Sequence, residues 1–430
     1  MLFATHSLHF RVHTRVLLTL LVACAVTMAL WAEPPVHPLL REAAAAQKAG
    51  QFELALAKLE AARALRPDYP RLLLELARVN AAARHPDAAC AALDQLARLG
   101  VAFAPAKDPA LAALASAPAW APLAARFAAN AVPQGRADLA LTLPTQDGII
   151  ETALADSHGR WFFADVRHRC IWTREADGSL RKFSHDRDGL LGVFSLALDE
   201  SHARLWAGVA ATPEMQGYAE ADRGRAFLAE YDLTAGALVR TVALPADQRP
   251  HVLGSLTLAA DGGLFATDSA APVIWHVAPG ATQAEAWLEN DQFASLQGLA
   301  FSADGRALYV ADYANGVWRI DVASKTPRLL RAPADTTLFG LDDLRGAGRA
   351  LVAVQNGIAP ARVLRIDLDA AGDARAVTVL AAALPRFTDL SGGWLRAGRY
   401  EVVGDAGWNL FSTPTAAPAP RDVPILSVPL

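Results

Sequence analysis

The chain has 430 residues, 40 of them basic and 44 acidic, for a net charge of −4, and 53% are hydrophobic. That balance excludes a basic surface for nucleic acid, and a chain of this length is expected to hold two domains. Lysine occurs only at Lys48, Lys58, Lys107, Lys182 and Lys325, a compositional bias toward Arg that carries no functional signal.

At the N-terminus, Arg11 and Arg15 precede the uncharged run VLLTLLVACAVTMALWA, which ends at Ala32 and is followed by EPPVHP. A basic flank, an apolar core and a small residue at the end describe an export signal over residues 1–32, cleaved after Ala32. Two alternatives stay open: LVAC also fits a lipobox, which would leave Cys24 as a lipidated N-terminus, and the run is marginally long enough to remain as an anchor. All three place the rest of the chain outside the cytoplasm, periplasmic or extracellular, with no membrane contact beyond this segment. Cys90 and Cys170 fall in different expected domains and read as buried thiols, and no Cys/His spacing suggests zinc.

From 36 to 129 the pattern is helical. Gly50, Phe52, Ala55, Leu59, Ala62 and Pro67 stand where the tetratricopeptide repeat places its packing residues, and Ala89 and Leu93 restate that helix 34 residues on. The stretch therefore resembles about two such repeats. Asp108 ahead of Pro109 predicts a capped start to two further short helices. The resemblance implies a surface that could dock a protein partner, although three repeats are usual for a binding groove.

After VPQGR the period changes to two. SLQGLAFSADGRALYVADYANGVWRID (295–321) alternates apolar runs with Asp-Gly and Asn-Gly turns, a β-meander signal. The same pattern returns at 152–174 and 255–277, with Asp165, Asp268 and Asp312 closing one strand and Trp172, Trp275 and Trp318 on the next. Weaker copies lie at 195–210, 341–367 and 390–408. Six copies with no helix between strands predict a six-bladed β-propeller over 138–430, mainly β, behind the helical repeat domain. The last copy lacks a fourth strand, and DLALTLP (138–144) is expected to supply it and lock the ring.

Propeller topology gathers the starts of the innermost strands, the ends of the second strands and the loops that follow them at one end of the ring. Glu151, Ser195, Ser255, Gln297, Asp342 and Asp389 stand at strand-one starts. Asp165, Asp268, Asp312, Gln355, Asn356 and Asp405 stand at strand-two ends. The Asp residues there are expected to bond the next turn, and the Trp residues to pack between blades. The long loop 210–225 adds Tyr218, Arg223 and Arg225, and Arg167 or His168 is a possible cation beside the acidic pair Glu151 and Asp342. This mouth is the expected site of a small ligand, with Arg167, Ser195, Tyr218, Arg223, Ser255, Gln355, Asn356 and Asp389 as contacts.

GIIETALADSHGRWFFAD, ARLWAGVA, LQGLAFSADGRALYVAD and LDDL resemble the blade openings of the regucalcin/gluconolactonase family of six-bladed propellers, over roughly residues 139–430, and NHL-type repeats match nearly as well. The resemblance implies hydrolysis of a lactone or sugar derivative with one divalent metal, Ca²⁺ or Mg²⁺, held by Glu151, Gln297 and Asp342, with Asp342 the catalytic base. Gln297 replaces the family's Asn, and Phe194–Ser195 replaces its substrate-facing Asn-Asp. The competing reading is a non-catalytic module that grips a ligand or protein at the mouth while the helical repeats dock a second partner.

Overall fold

The computed structural model describes residues 36–145, 147–411 and 420–430. The segment expected to be an export signal, 1–32, and the Pro/Ala-rich 412–419 lie outside the described residues, and no described helix is long and apolar enough to cross a membrane.

Residues 36–130 form a helical region: α1 (Val36–Lys48), α2 (Phe52–Leu65), α3 (Pro70–Ala82), α4 (Pro86–Arg98) and α5 (Trp120–Asn130). The first residues of α3 and α4 are prolines, which cost nothing at a position whose N–H has no helical partner. Between α1 and α2 the chain reverses at Gly50, whose φ of 72° suits a residue without Cβ. Ala55, Leu59 and Ala62 on α2 and Ala89 and Leu93 on α4 are buried in one core with Leu72, Leu73 and Leu76 of α3. Asp108 caps a single 3-10 segment, Pro109–Ser116, by accepting the Ala110 N–H at 3.0 Å; the sequence pattern predicts a helix there.

Six antiparallel sheets of strands follow, each pairing with its neighbours in chain order from the axis outward. Blades 1 to 5 begin with the inner strands Ile150–Ala155, Gly192–Asp199, Leu253–Leu258, Leu296–Phe301 and Leu341–Ala347. Blade 6 runs from Gly393–Arg396 through Arg399–Val403 to Arg421–Pro429, and its outermost strand is Asp138–Thr145 from the other end of the propeller. That pairing joins first and last strands and leaves the ring without a seam of unpaired backbone. Just before it, Gln134–Gly135 adds a fifth strand to the outer edge of blade 5, opposite Ala381 and Ala382, which the sequence pattern does not reveal.

Blades pack through apolar faces. Trp206 of blade 2 and Trp275 of blade 3 share one buried cluster, and Phe265 and Trp287 of blade 3 share the next with Trp318 of blade 4. The strand-two aspartates are more than turn formers. Asp165, Asp268 and Asp312 are fully buried, and each accepts the indole N–H of its own blade's tryptophan, from Trp172 at 2.9 Å, Trp275 at 3.0 Å and Trp318 at 3.1 Å. Burying a carboxylate is costly unless donors surround it, and the tryptophan supplies both a donor and the wall between blades.

The helical region sits on the mouth face, over the loops of blades 4 and 5. Tyr69 stacks on Phe339 with ring centres 4.0 Å apart, and the Arg66 guanidinium lies 4.2 Å from the same ring while donating to Asn315 O at 2.7 Å. Ala102 N–H donates to Ala359 O at 2.6 Å. Arg362, buried without a carboxylate partner, reaches the carbonyls of Leu99 and Gly100 just past α4, where carbonyls at a helix end lack helical donors.

Candidate functional site

In blades 1 to 5 the inner strand skips register with its neighbour at the same place, close to the mouth. The shifts fall between Ile150 and Thr152, Val193 and Ser195, Leu253 and Ser255, Leu296 and Leu299, and Leu341 and Asp343. A bulge of this kind leaves a residue unpaired and re-aims its side chain. The skipped positions form a ring: Glu151, Phe194, Gly254, Gln297 with Gly298, and Asp342. The ring is two-sided, with carboxylates on blades 1 and 5 either side of blade 6, and an aromatic ring, a glycine and an amide opposite.

This register separates residues that look equivalent in the sequence. Ser195 and Ser255 stand one position further along, level with Thr152 and Asp343. Three side chains at this second level bind the next blade's backbone or its side chains: Thr152 Oγ1 donates to Phe194 O at 3.0 Å, Ser195 Oγ to Leu253 O at 2.7 Å, and Asp343 accepts Gly393 N–H at 3.0 Å. Ser255 is buried and its hydroxyl has no partner among the described residues.

Around the acidic half, blade 6 contributes most of the contacts. Trp408 donates its indole N–H to Glu151 Oε2. The Glu151 carbonyl accepts from Ser391 Oγ and Gly392 N–H, both at 2.9 Å. Asp389 accepts Gly407 N–H at 2.9 Å. Asp342 Oδ2 accepts Asn356 Nδ2 at 2.8 Å, and the same amide nitrogen reaches Leu390 O at 2.8 Å. Burial raises Glu151 to about 7, with the charges of Asp389 and Asp343 adding to it. Burial and the Glu151 charge hold Asp342 well above the usual carboxylate range, and burial also raises Asp389. Tyr313, at the rim, is raised to about 12 by burial and by the nearby Asp342 and Asp389 charges; neither it nor Trp408 is among the site residues expected from the sequence.

The cations expected beside Glu151 and Asp342 are committed elsewhere. Arg167 binds Asp147 at 2.9 Å and Glu214 O at 2.9 Å and lies over Phe411, while His168 bridges Asp165 and Asp147. Both sit in the turn after blade 1's second strand, next to the loop carrying Asp147. Among the described residues, neither Glu151 nor Asp342 forms an ion pair with Lys, Arg or His. Gln355 is buried and satisfied, donating to Thr337 O and Phe339 O and accepting Arg362 Nε at 2.6 Å, so it faces the domain junction. In the long loop, Tyr218 OH donates to Glu220 at 3.3 Å, Arg223 binds Glu220 at 2.8 Å, and Arg225 pairs with Asp222.

The divalent metal can be tested against these donors. Among the described residues, no group of three or more His, Cys, Asp or Glu side chains is arranged to hold a metal ion. Gln297, the expected amide ligand, has its oxygen 3.2 Å from Ser269 Oγ and its nitrogen 3.2 Å from Ser295 Oγ. Asn356 Oδ1, on the amide that holds Asp342, is instead buried and without a hydrogen-bond partner among the described residues. Two carboxylates and that amide oxygen are a hard-cation donor set.

No known family profile matches the chain, and no curated protein sequence matches it either. Solved structures of low identity are similar to part of the chain. A catalytically inactive virginiamycin B lyase from Staphylococcus aureus with quinupristin is 13% identical, covering 69% of this chain and 100% of its own, with a TM-score of 0.45. A candidate gluconolactonase is 18% identical over 68% of this chain and 94% of its own, with a TM-score of 0.41. A streptogramin B lyase structure is 13% identical over 67% and 97%, with a TM-score of 0.41. The strand pairings of the chain itself define a six-bladed β-propeller, mainly β, behind an N-terminal helical region over 36–130.

Proposed function

We propose that the acidic half of the mouth binds a small oxygen-rich ligand together with a divalent cation and hydrolyses a lactone ring in it. The observation that supports this reading is the placement of Glu151 and Asp342: matching bulges bring them to one rim, half-buried, with no cationic partner among the described residues and with the Asn356 oxygen beside Asp342 left unbonded among them. Glu151, Asp342 and Asn356 would hold the cation, which when bound supplies positive charge at the ligand's carbonyl oxygen. Asn356 Nδ2 keeps one Asp342 oxygen occupied and leaves the other free to take a proton from water as the water oxygen bonds the carbonyl carbon. That proton then passes to the ring oxygen as the ring C–O bond breaks. Phe194 lines the neutral half and packs near Trp408, with ring centres 6.0 Å apart, an apolar wall for the ligand's carbon skeleton. The leader exports the protein, and the helical pairs, with α3 starting 34 residues after α1 and α4 34 after α2, are read as tetratricopeptide-like.

A second reading is favoured by the helical region's seat on the rim of blades 4 and 5: a non-catalytic module in which the helices present a bound ligand to a protein partner. Calorimetric titration of Ca²⁺ and Mg²⁺ into chelator-treated protein, paired with pH-stat assay of sugar lactones, separates the two. Stoichiometric binding and hydrolysis, both lost in Glu151→Gln and Asp342→Asn, are expected. Cation binding without hydrolysis favours the second reading, and the absence of both overturns the first.

A further inference from the structure

The ring of inner strands has a second end. At the face opposite the mouth, the last residues of the inner strands of blades 2 to 6 enclose a cavity of about 330 Å³, walled by Leu198, Leu256, Leu299, Phe301 and Trp394. Its one charged lining residue is Arg345, 8% exposed. The size falls within the range of small-molecule sites, which are mostly apolar with a few placed polar groups.

Arg345 is not neutralised evenly. Its Nε and Nη2 bind the two oxygens of Asp343 at 3.1 and 3.0 Å. Asp343 also accepts Gly393 N–H at 3.0 Å and the Tyr400 hydroxyl at 2.5 Å. One carboxylate is thus shared among four donor groups. Arg345 Nη1 has only Leu256 O, at 3.5 Å, the outer limit of a hydrogen bond. A guanidinium carries five N–H donors, so Arg345, although its charge is balanced by Asp343, keeps N–H donors unfilled at the wall of an apolar cavity.

We propose that this cavity is a second binding site, for a molecule with an aliphatic body and a single carboxylate head: the head meets Arg345 and the body lies against Leu256, Leu299, Phe301 and Trp394. An amine head would face the guanidinium with like charge, and a plain hydrocarbon would leave the buried N–H groups unpaired. The site is separate from the mouth, because the Asp343–Arg345–Tyr400 cluster stands between them on blades 5 and 6.

Isothermal titration of the full chain with octanoate, and with octylamine as the opposite-charge probe, tests it. Octanoate binds and octylamine does not. Arg345→Met strands Asp343 and can unfold the protein, so the deciding variants are Thr257→Trp and Leu395→Trp, two half-buried wall positions from which an indole fills the cavity without touching the ion pair. Each should weaken octanoate binding roughly tenfold or more, which is about 1.4 kcal/mol, while Glu151→Gln leaves it unchanged. No octanoate binding, equal binding of octylamine, wild-type affinity in both tryptophan variants, or loss of binding in Glu151→Gln each overturns the proposal.

Discussion

The indole N–H of Trp408 donates to the carboxylate of Glu151, joining the two ends of the propeller sequence at the axis. That bond favours the ionised carboxylate, opposing the burial that raises Glu151 to about 7. Trp408→Phe removes the donor and keeps most of the ring. A hydrogen bond to a charged group is worth about 1.5–3 kcal/mol, or roughly one to two pH units. The midpoint of the pH dependence of Ca²⁺ binding, followed by calorimetry, is expected to move upward by that amount. An unmoved midpoint would show that Glu151 is not the group whose ionisation governs binding.

Two histidines make stability depend on pH in a definite direction. His251 has one ring nitrogen 2.6 Å from Asp268 and the other 2.9 Å from Asp247, and His168 spans Asp165 and Asp147 at 2.7 and 2.9 Å. Only the imidazolium can donate from both nitrogens. The bond to Asp268 raises the pKa of His251, and the bond to Asp165 that of His168, against the effect of burial. A raised folded-state pKa gives stability that is complete below the unfolded value of about 6.5 and is lost as pH rises through the higher folded value. Thermal midpoints should therefore fall above about pH 6.5. His251→Gln should be less stable than wild type at pH 6 and show a flatter profile. A wild-type midpoint independent of pH from 6 to 9 would contradict this account.

The repeat pattern makes the propeller legible because each blade writes its own strands and turns locally, with Asp165, Asp268 and Asp312 six or seven residues ahead of Trp172, Trp275 and Trp318. The bulges are not legible in this way, since a bulge is a mismatch in count between two strands and needs the pairing to be known. Hence Ser195 and Ser255 look like counterparts of Glu151, whereas the register puts Phe194 and Gly254 there. Asp343 is hidden for the same reason: the sequence places Asp342 at the mouth, but only the pairing sets its neighbour Asp343 one level down, in the cluster with Tyr400. One clue was visible. In blade 6 Trp408 follows Asp405 by three residues, a break in spacing that marks a tryptophan with a different partner.

Closure of the ring rests on a strand far from its neighbours in sequence. Asp138–Thr145 pairs with Arg421–Ser427, and Arg399 bridges back to Asp138 at 2.5 Å. Deleting 138–144 exposes Asp422–Ser427 as a hydrogen-bonding edge and uncovers Val423 and Ile425, now buried. Aggregation on expression is expected, since exposed apolar edges template pairing between chains. A soluble deletion variant with a cooperative melt would show that the ring closes without this strand.

The domain junction depends on Arg362. Burial lowers its pKa to about 10, and its hydrogen bonds go to neutral groups, Gln355 Oε1 and the carbonyls of Leu99 and Gly100. Arg362→Met leaves those acceptors unpaired, at a cost of about 1–3 kcal/mol. Limited proteolysis should then cut between the helices and the propeller faster than in wild type while the propeller fragment stays intact. Equal rates would mean that the remaining contacts, the Tyr69–Phe339 stack and the Arg66–Asn315 O and Ala102–Ala359 O hydrogen bonds, hold the domains without Arg362.

The loop over the rim of blades 1 and 2 gives the final test. Its polar side chains face one another, with Arg223 on Glu220 and Arg225 on Asp222, both pairs exposed, and exposed pairs contribute little. What fixes the loop is Met215, buried at 2% exposure, together with the Arg167–Glu214 O and Gln216 N–H–Arg167 O hydrogen bonds. Replacing 212–222 with a short Gly-containing turn removes Met215 from the core, which should cost about 2–5 kcal/mol, while shortening the connection itself matters little. None of the removed side chains reaches Glu151, Asp342 or Asn356, so cation affinity measured by calorimetry should stay at the wild-type value. Loss of cation binding by a variant that still melts cooperatively would place this loop inside the site and shift the ligand toward blade 2.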